Sequence, residues 1–526
     1  MRRGLLLSLA ALLGCLCVAA PGGATARRGG THFRIVIVGD ISPSELRGFA
    51  SRGAVGLLVP GTGPRTSGRL ALAALRRGAT VNTNLGGAPQ GRILVSVSSQ
   101  AALRGPEPVI IVSLPPAAGL RWNDRRYPIV VIGGGFHGLL HSATTRIPGL
   151  VSIVDIAPTA LGHARGSLTS SVSADAVSRI TRLDRQIHAN NRLKLPALII
   201  LACLLILLAA FRPRTVLPSL LAALLTSSAI GALQITSEPL IVALFVVGSA
   251  IGGMVLAGFC NTDGRLLGTI LGVLALHVVL LVMRPEWIAV SPLGPTQNSR
   301  FWGIGNQLET LLLAPILAGA MIAGRRYGIV GFASMALIAL TLVTDNRLGS
   351  DGGGAIVFGL AFAFVGARVM RRGPRGFMMI LLLSATAVLT IVSVNLKLPG
   401  PDHLRSAFSG GAPGLLSVVE NRVPLAYLPA LHEWKLILPL ALWFGATLAV
   451  ALTVSDRSAR DLVIAAALAI GVSLLVNDSA AYELTGGVAV LAGLARLRPA
   501  PEALAVPSHL RVPLGSRPAP SETRRG

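Results

Sequence analysis

The chain has 526 residues, of which 52% are hydrophobic and only 13% charged, with a mean hydropathy of +0.68 and a formal net charge of +25. So little charge excludes an array of soluble domains, whose surfaces need more, and places much of the chain against lipid. The arginine excess has no interleaved aromatic residues, which argues against a nucleic-acid partner and for cytoplasmic loops and a tail near anionic membrane lipid.

Arg2 and Arg3 precede an apolar run from Leu5 to Ala20 and the small-residue run Ala24-Thr25-Ala26. That order of basic, apolar and small residues predicts a signal peptide over residues 1–26. Leu12-Leu13-Gly14-Cys15 also reads as a lipobox, which would anchor the N-terminus by lipid and leave the downstream topology unchanged. The four cysteines are Cys15, Cys17, Cys203 and Cys260, so the segment that follows has neither disulfide nor thiolate metal site.

Residues 33–185 predict an extracytoplasmic α/β domain. Short β-branched runs (Arg34–Val38, Ala54–Val59, Ile93–Val97, Val109–Val112, Ile129–Ile132) alternate with Ala/Leu/Arg stretches of helical spacing. Continuous apolar strands suit a mostly parallel sheet covered by helices on both faces, and none is long enough to span a bilayer. His137 and His141 stand four apart, but Gly133-Gly134-Gly135 before them favours a loop over a helical ligand pair. Asp155, three residues before Pro158, reads as a helix cap.

Gly149-Leu150-Val151-Ser152-Ile153-Val154-Asp155-Ile156-Ala157-Pro158-Thr159 resembles a segment near the end of alkaline phosphatase and sulfatase superfamily domains. Val38-Gly39-Asp40 resembles their first strand, and Ser142-Ala143-Thr144-Thr145-Arg146 is similar to membrane-attached members. The resemblance covers about a third of the chain. It implies Asp40 as a metal ligand and Thr66 or Ser67 as the nucleophile. No Asp-His-Gly segment is present and the later histidines have no acidic neighbour, so the expectation is a degenerate domain with no metal and no cofactor.

Residues 195–497 predict a multi-pass transmembrane domain of about eleven helices. The spans fall near 195–211, 216–235, 239–258, 266–283, 306–323, 329–344, 355–370, 377–395, 436–454, 462–476 and 483–497. Arg212, Arg214, Arg265, Arg325, Arg326, Arg371, Arg372, Arg375, Arg457 and Arg460 then fall in loops of one side. By the positive-inside rule that side is cytoplasmic and the α/β domain is outside. Residues 498–526, basic and Pro-rich, predict a disordered cytoplasmic tail. The expected location is the cell (plasma or inner) membrane.

Three polar clusters fall at outer helix ends: Asn298–Glu309, Thr344–Gly354 and Asn477–Glu483. An acid within a membrane-length helix is costly unless it faces a partner or a polar cavity. Glu309, Asp345, Asp351 and Asp478 are the candidate catalytic carboxylates. Arg300, Asn306, Arg347, Gly352, Gly353 and Asn477 are the candidate substrate-binding residues. The two arginines suit phosphate and are the expected partners of Glu309, and the glycines offer N–H groups at a helix start to an anion. Taken singly, these residues also read as turns and caps, with Trp302 and Tyr482 as interfacial anchors. The loop 396–434 reads as a solvated amphipathic loop or a lid.

The segments Arg300–Asn306, Asp351–Gly354 and Asn477–Ser479 resemble motifs of uncharacterised multi-spanning proteins that carry an alkaline-phosphatase-like outer domain. A long late outer loop and an Arg-bearing turn are similar to O-antigen ligases and polymerases. The first resemblance implies architecture but no activity; the second supports a transferase acting on a lipid-linked, phosphate-bearing envelope precursor. A transporter or flippase of such a precursor is the alternative, for which Gly252-Gly253 and Pro315 would mark broken helices. A metal-dependent phosphohydrolase is the third reading.

Overall fold

The computed structural model describes residues 31–61, 65–78, 97–98, 108–163, 167–295, 301–345, 348–349, 352–369, 454–477, 480–495 and 497, with isolated helical positions between 378 and 450. The predicted signal peptide, the tail, the loop 396–434 and, those isolated positions apart, the spans near 377–395 and 436–454 lie outside the described residues.

The N-terminal part is a mixed α/β domain. Its strands are β1 (Arg34–Val38), β2 (Gly53–Val59), β3 (Arg65–Thr66), β4 (Val97–Ser98), β5 (Val109–Ser113), β6 (Arg121–Trp122), β7 (Tyr127–Ile132), β8 (Gly138–His141), β9 (Leu150–Ser152) and β10 (Thr169–Ser171). The main sheet runs β10-β8-β2-β7-β5-β1-β4, with β9 also on β2, while β3 and β6 form a separate ribbon. β1, β2, β4, β5, β8 and β9 share one direction, and β7 and β10 oppose it. The expected mostly parallel sheet is thus interrupted at its centre. The segment between β5 and β7 carries Pro115, Pro116 and Gly119 and forms no helix, so the chain has no crossover and returns antiparallel.

Period-two alternation divides the strands between two cores. Ile35, Leu58, Ile110 and Val131 face one, with Ala71, Leu75 and Ile156 from helices α2 (Gly68–Arg77) and α3 (Ile156–Ala160). Val36, Val55, Ile111 and Val130 face the other, with Leu46 of α1 (Pro43–Ala50) and Ile180 and Ile187 of the long helix α4 (Ala176–Phe211). Helix α1 starts where its sequence dictates: Ser42 accepts from the Glu45 N–H, and the Glu45 carboxylate accepts from the Ser42 N–H, with Pro43 in the first turn.

α4 joins the two halves without a break. The predicted gap between residues 185 and 195 is helix, and Pro196 does not interrupt it. Its 36 residues span about 54 Å at about 1.5 Å per residue, well beyond a hydrocarbon core of roughly 30 Å. The first half therefore lies on the sheet, held there by Arg126, whose Nε donates to Asp184 Oδ1 at 2.5 Å. The second half enters the bundle.

The bundle continues with α5 (Val216–Ala232), α6 (Glu238–Phe259), α7 (Asp263–Met283), the short α8 (Pro285–Ala289), α9 (Asn306–Thr344), α10 (Gly352–Val369), α11 (Arg457–Val476) and α12 (Ala480–Ala495). Among the described residues, six helices are long and apolar enough to cross a membrane: α4, α5 with the turn before it, α6, α7, α9 and α11; α10 and α12 are apolar but shorter. α6 runs through Gly252-Gly253 unbroken, and Pro315 does not break α9. Those glycines instead let helices touch: a Cβ on Gly253 would meet Ser219 Oγ at 1.9 Å, and one on Gly248 would meet Thr226 at 2.6 Å.

α9 is a hairpin. Gly328 has φ +65° and ψ −151°, a conformation essentially confined to glycine. Positions symmetric about Tyr327 meet across the fold: Gly331 abuts the Ala323 carbonyl, and Gly319 abuts Met335. At the hairpin tip Arg325 donates to Ser458, and nearby Arg368 pairs with Asp461 at 3.6 Å. That end of the bundle is basic, and the α/β domain docks at the opposite end.

Candidate functional site

Two of the three predicted polar clusters are side by side at the domain end. The Ile304 N–H donates to the Leu348 carbonyl at 3.1 Å, and Gly303, at φ +81°, leaves no room for a side chain beneath that same oxygen. Asp345 caps the C-terminus of α9 and its carbonyl accepts from Leu348 and Gly349. Asn306 opens α9, half-buried, with its carbonyl accepting from Thr310 Oγ1 at 2.8 Å.

Glu309 sits at the centre of this arrangement, 1% exposed, in the first turn of α9. It meets the start of α10: a Cβ on Gly354 would lie 2.6 Å from both the Glu309 carboxyl carbon and Oε2. The N-terminus of α10 carries partial positive charge, which favours a carboxylate there. Glu309 thus places its carboxyl at the residue that follows Gly352 and Gly353, the two glycines expected to offer N–H groups to an anion.

The third cluster joins through α12. Gly486 packs on Thr310, with a Cβ there reaching Thr310 Cγ2 at 3.2 Å. Glu483 lies three residues earlier on the same face of α12 and is 0% exposed. Glu309 and Glu483 are thus buried carboxylates on two packed helices, Glu309 against the start of α10 and Glu483 one turn from the Gly486–Thr310 contact. Glu483 is not among the predicted site residues, although its place one turn before a Gly-Gly pair in an apolar helix marks it. Asn477 is buried at the end of α11 and its Nδ2 donates to Ser473 Oγ at 2.8 Å, within its own helix. Arg300, Arg347, Asp351 and Asp478 lie outside the described residues.

The α/β domain clamps the loop that leads into α9. Trp302 Nε1 donates to the Thr144 carbonyl at 3.0 Å, and the Arg146 guanidinium lies 3.5 Å from the centre of the Trp302 ring. Trp302 and Phe301 belong to the core shared with the sheet, so Trp302 is a joint between the halves and not an interfacial anchor. Arg146 adopts φ +55°, uncommon for a residue with a side chain, and this aims it at the ring. Its loop is held by Asp155, which accepts from Ser142 Oγ and, at 2.6 Å, from Thr144 Oγ1. Asp155 stands at the start of α3 but makes no side-chain cap bond, against expectation. Burial pushes its carboxyl up to about 6, the two hydroxyls pulling the other way.

A second group missed in the sequence is Lys194, fully buried on α4, whose Nζ donates to the carbonyls of Gly294 (2.7 Å) and Pro295. Gln307 Nε2 donates to the same Gly294 carbonyl. Gln186, Asn190 and Lys194 form a buried stripe four residues apart. Lys194 begins an apolar run, where a lysine ordinarily snorkels to the surface.

Within the domain, Asp40 is exposed after β1 and Thr66 is buried in β3. Ser67 caps α2, accepting from the Leu70 N–H at 3.3 Å, so its hydroxyl serves the helix. His141 is not in a loop: it ends β8, its Nε2 2.7 Å from Ser171 Oγ, and burial pushes its imidazole down from the ordinary value. Among the described residues, no three His, Cys, Asp or Glu side chains gather as a metal site. Comparison with known proteins finds no matching family model, no matching curated protein and no matching solved structure.

Proposed function

We propose that this chain is an integral membrane protein of the cell envelope that binds a lipid-linked, phosphate-bearing precursor at its outer face and transfers the precursor's head group. The α/β domain then lies outside and the basic end of the bundle faces the cytoplasm. One observation carries the reading: Glu309 is fully buried at the domain end of the bundle, against the N-terminus of α10, beside a loop clamped by the α/β domain. An intramembrane carboxylate held that way is a functional group by default.

In this reading Glu309 takes the proton from the acceptor hydroxyl, whose oxygen attacks the head-group carbon. The bond from that carbon to the phosphate oxygen breaks, and Arg300 and Arg347 hold the phosphate that leaves with the electron pair. Asp345, Asp351 and Asp478 are the alternative carriers of that base. The α/β domain, degenerate by its missing Asp-His-Gly segment, positions the loop through Trp302. The unbroken course of α6 and the absence of a break at Pro315 favour transfer over transport.

The test is transfer by the purified full-length protein in detergent, with no sealed membrane, from polyprenyl-phosphate-linked sugars. Transfer should occur and fall at least about a hundredfold in Glu309→Gln, the scale of a lost acid–base group. Precursor movement in sealed vesicles with no product in detergent would establish the flippase instead.

A further inference from the structure

A cavity of about 320 Å³ lies at the seam between the α/β domain and the domain end of the bundle, away from Glu309. Arg179, Arg182 and Gln186 line it from α4, one helix face at spacings of three and four. Gln234, after α5, and Arg284 and Trp287, around the start of α8, close the other side.

Three arginines meet two carboxylates in its wall, Asp175 and Glu286, so one positive charge is left over. The pairs are loose. Arg179 stands 3.4 Å from Asp175 and Arg284 3.8 Å from Glu286, all four groups at least partly exposed, while Arg182 Nη1 donates to Gln234 Oε1 at 3.2 Å. Each guanidinium has five N–H donors, so most of this capacity is open to a ligand, and exposed pairs of this kind are readily exchanged for a better acceptor. Burial holds the Glu286 carboxyl above its ordinary range, which further weakens the acidic side.

Two exposed apolar residues adjoin the lining in sequence. Leu233 immediately precedes Gln234 and Met283 immediately precedes Arg284, and both are 70% exposed. On each of these two segments an exposed apolar residue thus adjoins a polar residue of the lining, a pattern that an amphiphile with an anionic head satisfies. The volume lies at the small end of ligand cavities and suits a phosphate ester.

We propose that this seam binds the phosphate ester of an anionic membrane lipid, with Arg179, Arg182 and Arg284 on the phosphate and the acyl chains along Leu233 and Met283. Such a lipid would cement the domain to the bundle. It is a site separate from Glu309 and does not depend on the transferase reading.

The test uses delipidated full-length protein in uncharged detergent, titrated separately with phosphatidylglycerol, with diacylglycerol of the same chains, and with inorganic phosphate. Bound lipid is counted by native mass spectrometry and the melting temperature is followed. Phosphatidylglycerol should bind with saturation and raise the melting temperature, and the double variant Arg182→Gln/Arg284→Gln should weaken it about tenfold or more. Glu286→Gln should tighten it, which keeps the proposal testable if the double variant does not fold. Diacylglycerol binding as tightly would overturn the role of the phosphate. Inorganic phosphate competing at the same concentration would overturn the lipid source and leave a free-anion site. Unchanged phosphatidylglycerol binding in both variants would overturn the site altogether.

Discussion

Glu309 and Gly354 are a matched pair, and each can be tested through the other. A methyl group on Gly354 would occupy space within 2.6 Å of the Glu309 carboxyl and 2.4 Å of Val343. Gly354→Ala should therefore displace the carboxylate, costing about 1–3 kcal/mol of stability as an overpacked site does. Transfer should fall as far as in Glu309→Gln, while Gly258→Ala, where a Cβ meets nothing within 4 Å, should leave both unchanged. Melting temperature and transfer rate together check this. Asp155 offers a prediction in pH. Its folded carboxyl is raised from 3.8 to about 6, so the folded state holds the proton more tightly than the unfolded chain does. The stabilisation this gives is complete below about 3.8 and is lost as pH rises through about 6, roughly 3 kcal/mol in all at about 1.4 kcal/mol per pH unit. Asp155→Asn should flatten that window: thermal melts from pH 4 to 7 should show wild type losing stability where the variant does not. Equal slopes for the two would refute the assignment.

Elements were legible in the sequence where one period or one punctuating residue governs them. The apolar lengths of α5, α6 and α7 and the strand runs of β1, β2, β5 and β7 stand in the chain as read. What the sequence hid depends on the partner an element meets. Nothing in Tyr127–Ile132 says that β7 runs against its neighbours; the direction follows from the helix-free connection before it. Leu193-Lys194-Leu195 resembles an interfacial lysine until the turn at Gly294-Pro295 supplies two carbonyls for its ammonium. Glu309 was readable because a lone acid in an apolar helix demands a partner, whereas Glu483 lies at the end of a polar run and was masked by it. Gly328 marks the hairpin of α9 by its backbone alone. Gly328→Ala should cost about 1–3 kcal/mol through the strained φ, read as a lower melting temperature in detergent, although a Cβ there meets nothing within 4 Å.

At the scale of the whole molecule the two halves share one core, so the α/β domain is not a bead on a flexible tether. Ala289, Val290, Phe301 and Trp302 of the bundle pack in the same cluster as Val36, Val55 and Ile111 of the sheet, and Ile180 and Ile187 of α4 complete it. Gln186 Nε2 adds a bond to the Gly231 carbonyl at 2.9 Å at the end of α5. A boundary placed by composition at residue 185 cuts through this core, because charge and hydropathy change along α4 while packing does not. Two consequences can be measured. A fragment of residues 31–175 lacks α4 and leaves one face of the sheet covered by α1 alone, so it should aggregate or bind a hydrophobic dye. Extending it to residue 192 should restore solubility only in part, since the bundle's own contribution to that face is still missing. In the intact protein, Trp302→Ala removes the Arg146 stack, the Thr144 bond and a buried ring together. Losses of this kind run to about 3–5 kcal/mol. The expected result is faster proteolysis within residues 31–175, with the bundle still folded and transfer reduced through the loosened loop rather than through Glu309 itself. Protection from protease equal to that of wild type would mean that the joint lies elsewhere along α4.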